Sequence, residues 1–224
     1  MAVQLPGADL IREDWGHRVT CDVGHPIGNY AFFMDFEGWK NAAEFPIPNL
    51  RAFNLYLNDF ELTGPELGIF EERMTLRSLV CCPSKGTREA QFLVEAKRTS
   101  EERAEVSEFI VAQFYTASSA TVCQKISRSI SNSTDLDLFS ISDGDNGIAG
   151  AAMLTKGTDV WGIYSVCVSP LFQGRGIGRN LVEELCRLAH VSGHQIQLQC
   201  AESRLNWYER IGFKTHSFLH VYCV

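Results

Sequence analysis

The stretch Val166-Cys167-Val168-Ser169-Pro170-Leu171-Phe172-Gln173-Gly174-Arg175-Gly176-Ile177-Gly178 constrains this chain most, because it joins an apolar strand to a helix through a glycine-rich, cationic turn. Residues 163–168 are apolar or β-branched at most positions and stop before Pro170, as a strand buried on both faces would. Ile177, Leu181, Val182, Leu185, Leu188 and Ala189 then recur at helical spacing, so a helix begins inside the glycine run. The first turn of a helix has N–H groups without intrahelical partners and carries partial positive charge from the helix dipole. Gly174, Gly176 and Gly178 let backbone approach a ligand closely, and Arg175 and Arg179 add formal charge. These features predict a pyrophosphate-binding turn.

The spacing narrows the ligand. A kinase-type phosphate loop needs Gly-x-x-x-x-Gly-Lys-Ser/Thr, and no such lysine follows here. The dinucleotide interval Gly-x-Gly-x-x-Gly is also unmet, and residues 195–201 offer no acidic partner for a ribose. Gln173-Gly174-Arg175-Gly176-Ile177-Gly178 does fit in full the pattern Gln/Arg-x-x-Gly-x-Gly/Ala, and it resembles the coenzyme A loop of the GNAT superfamily of N-acetyltransferases. A second block, Tyr208-Glu209-Arg210-Ile211-Gly212-Phe213, resembles the family's Tyr-x-x-x-Gly-Phe signature and follows an alternating strand over 195–200. Taken singly, such glycines make a tight strand-to-helix turn and such a tyrosine packs at a helix end. The two motifs in order are more specific, and the resemblance covers residues 91–224. It implies an α/β fold with a mixed central sheet flanked by helices, here with a smaller N-terminal α/β subdomain over 1–88 and an acetyltransferase domain over 89–224.

The resemblance also implies roles. Backbone groups of Val166, Cys167 and Val168 would pair with the pantetheine arm and polarise the thioester carbonyl, and Gln173, Gly174, Arg175, Gly176, Ile177, Gly178 and Arg179 would hold the pyrophosphate. Tyr208 matches the tyrosine that gives a proton to the departing thiolate. Many relatives carry a glutamate as base on the strand before the loop, but Trp161-Gly162-Ile163-Tyr164-Ser165 has no carboxylate. Tyr164, Ser165, an ordered water or an amine that binds neutral all stay open in its place. The family's asparagine after the fifth strand is missing from Ala201-Glu202-Ser203, so Ser203 or Asn206 would replace that coenzyme contact. Cys167 lacks an evident histidine partner and reads as a packed strand cysteine rather than an acyl-accepting nucleophile.

Twenty Lys+Arg against 27 Asp+Glu give a net charge of −7 with no basic run, which argues against nucleic acid as a partner. The first residues lack a basic and an apolar signal region, and no ~18-residue apolar run is present, so no membrane partner and a cytoplasmic location are expected. The eight cysteines sit in apolar stretches without a Cys-x-x-Cys pair and read as reduced core residues. His216 and His220 lie in a β-rich tail where an interval of four has no metal-binding geometry, so no metal is expected. The function implied is transfer of an acetyl group from acetyl-CoA, the co-substrate, to a primary amine of a small molecule or peptide. A coenzyme A binding module without turnover and an interaction scaffold with a purely structural loop are the alternatives. Exposed edge strands suit a homodimer.

Along the chain, a short strand over 91–96 precedes Thr99-Ser100-Glu101-Glu102, a capping box opening a helix whose stripe is Val106, Phe109, Ile110 and Phe114. A helix over 121–130 and strands over 136–141, 147–155 and 159–168 follow, with Asp143-Gly144-Asp145-Asn146-Gly147 as a hairpin turn rather than a calcium loop. Acceptor contacts are expected from 114–122 and 215–224. Upstream, residues 30–36 read as a strand after Gly24-His25-Pro26-Ile27-Gly28-Asn29, which resembles the opening of some bacterial GNAT proteins with an extra N-terminal half. Leu67-Gly68-Ile69-Phe70 before an apolar strand echoes Ile211-Gly212-Phe213, suggesting a degenerate GNAT-like half without its own glycine loop.

Overall fold

Thr99 starts the first long helix by the mechanism its sequence requires. In the computed structural model its hydroxyl accepts the Glu102 N–H at 3.2 Å, and the Glu102 carboxylate accepts the Thr99 N–H at 3.0 Å. The structure describes residues 8–21, 29–42, 53–63, 70–81, 91–144 and 147–223. The elements are β1 (Asp9–Glu13), β2 (Gly16–Thr20), β3 (Tyr30–Phe33), α1 (Phe36–Asn41), β4 (Asn54–Asn58), β5 (Glu71–Cys81), β6 (Glu95–Lys97), α2 (Ser100–Phe114), α3 (Ala120–Asn132), β7 (Leu136–Ser142), β8 (Ile148–Lys156), β9 (Val160–Val168), α4 (Ile177–Val191), β10 (Gln195–Ala201), α5 (Leu205–Glu209) and β11 (Phe213–Cys223). They fall into two units. One comprises Met1–Leu79, Gln199–Asn206 and Thr215–Val224, the other Val80–Leu198 and Trp207–Lys214.

In the second unit the strand order is β10-β9-β8-β7-β6, with β9 and β10 parallel and the remaining pairs antiparallel. A parallel pair needs a crossover, and α4 supplies it. Helices α2 and α4 both pack on β7, β8 and β9, and Val106, Ile110, Ile177, Leu181 and Leu185 of the helices and Leu138, Ala151 and Ile163 of the strands are buried. Gly150 on β8 permits the α4 contact: a Cβ there would lie 2.7 Å from Ile177 Cγ2 and 3.2 Å from Leu181 Cδ1. Arg103 on α2 fastens α3, donating to the carbonyls of Ser131 (2.8 Å), Ser133 (2.6 Å), Ile130 (3.4 Å) and Leu136 (3.0 Å).

In the first unit the order is β1-β2-β3-β4-β11-β5, and β3 and β4 are parallel across the short α1. Its core gathers Ala31, Phe33, Phe53, Leu55, Leu57, Leu62 and Tyr222. The Tyr222 hydroxyl accepts the Leu62 N–H at 3.1 Å.

Several expectations need correction. The strand expected over 30–36 ends at Phe33, because Asp35 caps α1 by accepting the Gly38 N–H at 2.7 Å. The strand expected over 91–96 is only Glu95–Lys97, since the Gln91 and Phe92 amides go to a side chain, that of Asn180. In α2 the buried face is Val106, Ser107, Ile110 and Val111; Phe109 is half-buried and Phe114, in the last turn, is 50% exposed. The turn after β7 forms, with the Asp143 carboxylate accepting the Gly147 N–H at 2.8 Å, although Asp145 and Asn146 lie outside the described residues. So do residues 24–28 of the His-Pro motif and Leu67-Gly68-Ile69 of the echo.

Candidate functional site

The site grows out of a defect in β9. Its antiparallel partner β8 pairs Ala151 with Cys167 and Met153 with Tyr164, so two residues of β9 face one of β8. The extra residue is taken up at Ser165, which holds φ 50°, a conformation rare outside glycine. On its other edge β9 pairs with β10 only at Val160, Trp161 and Gly162. Among the described residues that ladder then stops, although β9 runs on to Val168. Backbone groups around Val166, Cys167 and Val168 are thereby left on the β10 side for a ligand to pair with.

The chain then turns. The Gln173 side-chain amide donates to the Val168 carbonyl at 3.3 Å, tying the loop to the strand end. Gly174 (φ 77°) and Gly176 (φ 87°) take left-handed conformations, and Gly176 is the N-cap of α4 with no side chain capping it. The first intrahelical bond runs from Asn180 N–H to the Gly176 carbonyl at 2.9 Å. The amides before it, those of Ile177, Gly178 and Arg179, therefore face outward without a helical partner. Gly178 must be small, since a Cβ there would meet Val168 Cγ2 at 3.3 Å. Arg175 lies exposed over the Phe172 ring at 5.1 Å, whereas Arg179 is held by Glu183 at 2.7 Å, one turn along α4. This donor set suits a doubly charged phosphate group. An uncapped helix start, left-handed glycines and an exposed guanidinium all favour an anion such as a pyrophosphate.

Tyr208 on α5 is half-buried, with edge-to-face rings of Trp207 at 4.7 Å and Phe213 at 5.7 Å. Trp207 reaches the loop, its Cζ2 standing 3.9 Å from where a Gly178 Cβ would be. The glycine loop and the tyrosine signature are thus brought together by one indole. Gly212 (φ 113°) closes α5 with its N–H on the Glu209 carbonyl at 3.0 Å, which is why the signature needs glycine there. Ser203 and Asn206 are exposed, in a 3₁₀ turn and at the start of α5. Cys167 is buried, its thiol near the Ala151 carbonyl at 3.7 Å, and burial pushes its pKa up to about 12. It stays a neutral thiol and packs. Burial also raises the pKa of Tyr164, against the opposing effect of its hydrogen bond with Thr155. It therefore remains a phenol at neutral pH.

One site residue was missed by sequence reasoning. Asn180 is buried in the first turns of α4, where its side-chain oxygen accepts from Gln91 (2.9 Å) and Phe92 (3.3 Å) and its amide donates to the Phe92 carbonyl (2.9 Å). A lone polar residue at a helical position otherwise read as surface gives little signal. An open groove of about 820 Å³ runs between α2 and α3, with Glu108, Val111, Tyr115, Ser127 and Arg128 among its lining, so part of the 114–122 segment borders a concave surface. In the first unit His220 is buried, its Nδ1 3.1 Å from the Thr75 hydroxyl, which donates to Glu72 at 2.7 Å. Among the described residues no group of three or more His, Cys, Asp or Glu is placed to hold a metal ion, and no helix is long and apolar enough to cross a membrane.

The family model of the acetyltransferase (GNAT) domain matches residues 135–215, from β7 through the loop, α4 and the Tyr208 signature. A 61-residue stretch is 34% identical to glucosamine 6-phosphate N-acetyltransferase of Trypanosoma brucei brucei, covering 27% of this chain and 42% of that protein. The chain thus matches less than half the length of this curated relative. Among solved structures, a functionally unknown conserved protein from Staphylococcus epidermidis is similar over 96% of this chain and 93% of its own, with TM-score 0.69 and 14% identity. The GCN5-related N-acetyltransferase from Kribbella flavida is similar over 99% of this chain and 91% of its own, with TM-score 0.64 and 13% identity. At such identities the solved structures speak for the fold alone. The matched segment, which resembles the GNAT acetyltransferase domain, contains the strand, glycine loop and helix described above.

Proposed function

We propose that the chain is an N-acetyltransferase that moves an acetyl group from acetyl-CoA to a primary amine. The observation that carries this is the continuous path from the unpaired edge of β9, past its bulge, into the uncapped start of α4. Acetyl-CoA supplies an activated thioester. The amides of Ile177, Gly178 and Arg179 and the Arg175 guanidinium hold the pyrophosphate, while backbone groups of Val166, Cys167 and Val168 orient the arm and offer an N–H to the carbonyl oxygen, where charge develops. Tyr208 gives its phenolic proton to the departing thiolate. With Tyr164 held as a neutral phenol and no carboxylate from Trp161 to Ser165, the amine enters uncharged or loses its proton to water. Amino sugar phosphates belong to the acceptor class, since the relative from Trypanosoma brucei brucei is named for one.

The first unit reads as a degenerate GNAT-like half. Its β3-α1-β4 crossover joins parallel strands as β9-α4-β10 does. In place of a glycine cradle it has Asp35, whose carboxylate already takes the Gly38 amide and would repel a phosphate. One coenzyme per chain follows.

The test is calorimetric titration of acetyl-CoA into the wild type and Gly176→Asp, followed by thiol release with an amine panel that includes glucosamine 6-phosphate. Saturable binding that the variant loses, with turnover on some amine, supports the reading. A folded wild type that binds no acetyl-CoA overturns it. Binding without turnover favours the coenzyme A module, to which the missing β9 carboxylate already points.

A further inference from the structure

A side chain from far upstream stands at the turn that starts α4. The end of the Gln91 side chain, at Oε1, lies 3.7 Å from where a Gly176 Cβ would be. Gly176 immediately precedes the outward amides of Ile177, Gly178 and Arg179, so Gln91 borders the surface that favours an anion. Both segments belong to the second unit.

Asn180 fixes this placement. It donates its own N–H to the Gly176 carbonyl at 2.9 Å and takes the Gln91 N–H on its side-chain oxygen, also at 2.9 Å. The same side chain accepts from Phe92 at 3.3 Å and donates to the Phe92 carbonyl at 2.9 Å, so the strand entry cannot slide along α4. One buried residue thereby sets the backbone of Gln91 against the first turn of the helix. The Gln91 side chain is exposed and has no hydrogen-bond partner among the described residues. Two other side chains of the turn are already engaged: Gln173 donates to the Val168 carbonyl at 3.3 Å, and Arg179 pairs with Glu183 at 2.7 Å. Gln91 is an uncommitted primary amide beside outward N–H groups of the same chemistry. Rotation about its last side-chain bond exchanges the oxygen for the nitrogen.

We propose that Gln91 is a pyrophosphate ligand of the acetyl-CoA site, its side-chain amide donating to a phosphate oxygen held by the first turn of α4. The inference rests on the coenzyme reading, under which those backbone amides hold the pyrophosphate, and adds a donor that lies outside the glycine turn. A neutral amide acts through one directional hydrogen bond to a charged acceptor, whereas the Arg175 guanidinium also acts at longer range. Asn180 is the positioning residue, since it holds Gln91 and is itself buried.

The test is calorimetric titration of acetyl-CoA and of its 3′-dephospho form into the wild type, Gln91→Ala and Gln91→Glu, with thermal melting of each. Both variants keep the backbone N–H that Asn180 accepts, and the replaced side chain is exposed, so Tm should match the wild type. Gln91→Ala should weaken both coenzymes by about five- to tenfold, as loss of a hydrogen bond to a charged group shared with water does. Gln91→Glu should weaken both by more than about tenfold at low salt and less at high salt, because salt screens a carboxylate facing a diphosphate. The proposal is overturned if Gln91→Ala binds acetyl-CoA within about twofold of the wild type. It is also overturned if the loss disappears with the 3′-dephospho form, which assigns the contact to the 3′-phosphate, if the glutamate penalty is indifferent to salt, or if weaker binding comes with a lower melt. A folded wild type that binds neither coenzyme overturns the coenzyme reading and this inference with it. Failure of the inference alone leaves wild-type binding intact and the variants equal to it.

Discussion

Replacing Asn180 separates the structural from the electrostatic contribution of α4. Asn180→Ala removes three hydrogen bonds and leaves the Gln91 and Phe92 amides and the Phe92 carbonyl without their partner. A buried polar group left unsatisfied costs about 1–3 kcal/mol, and water reaches part of this strand entry, so about 2–4 kcal/mol is expected for the three. For a chain of this size that lowers Tm by roughly 5–12 °C. Asn180→Asp keeps the acceptor for both amides and loses only the donor to Phe92, so it should melt well above the alanine variant. It also sets a negative charge near the α4 start. At an effective dielectric of ~20 and a separation of ~10 Å, each facing phosphate charge costs about 1.7 kcal/mol, or more than tenfold in affinity. Thermal unfolding and acetyl-CoA titration on both variants read the two quantities separately. The reasoning is refuted if the alanine variant melts within 2 °C of wild type, or if the aspartate variant binds acetyl-CoA as well as wild type does.

Other perturbations have equally definite outcomes. Arg103→Ala releases four carbonyls at the end of α3 and the start of β7 and should cost roughly 2–4 kcal/mol in urea unfolding, with Arg103→Lys recovering only part. Gly150→Val drives a side chain into Ile177 and Leu181 and should destabilise by about 1–3 kcal/mol while weakening acetyl-CoA binding through the displaced α4. Tyr208→Phe should leave acetyl-CoA affinity near wild type and lower kcat by roughly 10²-fold; equal kcat would remove the tyrosine from the chemistry. His17, stacked on Phe32, has its pKa lowered first by burial and then by nearby positive charge, that of Arg12 included. Its neutral form is the folded one, so stability should fall as pH drops below about 6.5, where the unfolded chain takes up the proton. His17→Gln should flatten that part of the stability profile.

What the sequence disclosed was local. The Thr99–Glu102 box, the helix from Ile177 and the glycines at Gly174 and Gly176 act within a few residues, so composition and spacing carry them. Phe114 was misplaced because helical periodicity does not say where the sheet beneath α2 ends. The Asn180 clasp joins positions 88 and 89 apart, and the Ser165 bulge depends on register against β8. Neither interaction leaves a mark in a window of ten residues. The Asp35 cap was short-range, but the apolar run around it hid the change from strand to helix.

The membership of β11 in the first unit has a consequence for synthesis on the ribosome. The Tyr222 hydroxyl that receives the Leu62 amide stands 160 positions downstream of it. β4, which β11 pairs from Asn54 to Asn58, waits as long for its neighbour. The first unit's earlier strands thus keep an open sheet edge while the second unit emerges, and the unit that begins before the other is completed after it. A stop codon between β4 and β11 would damage the first unit, and a nascent chain is most exposed to mispairing until β11 has been released.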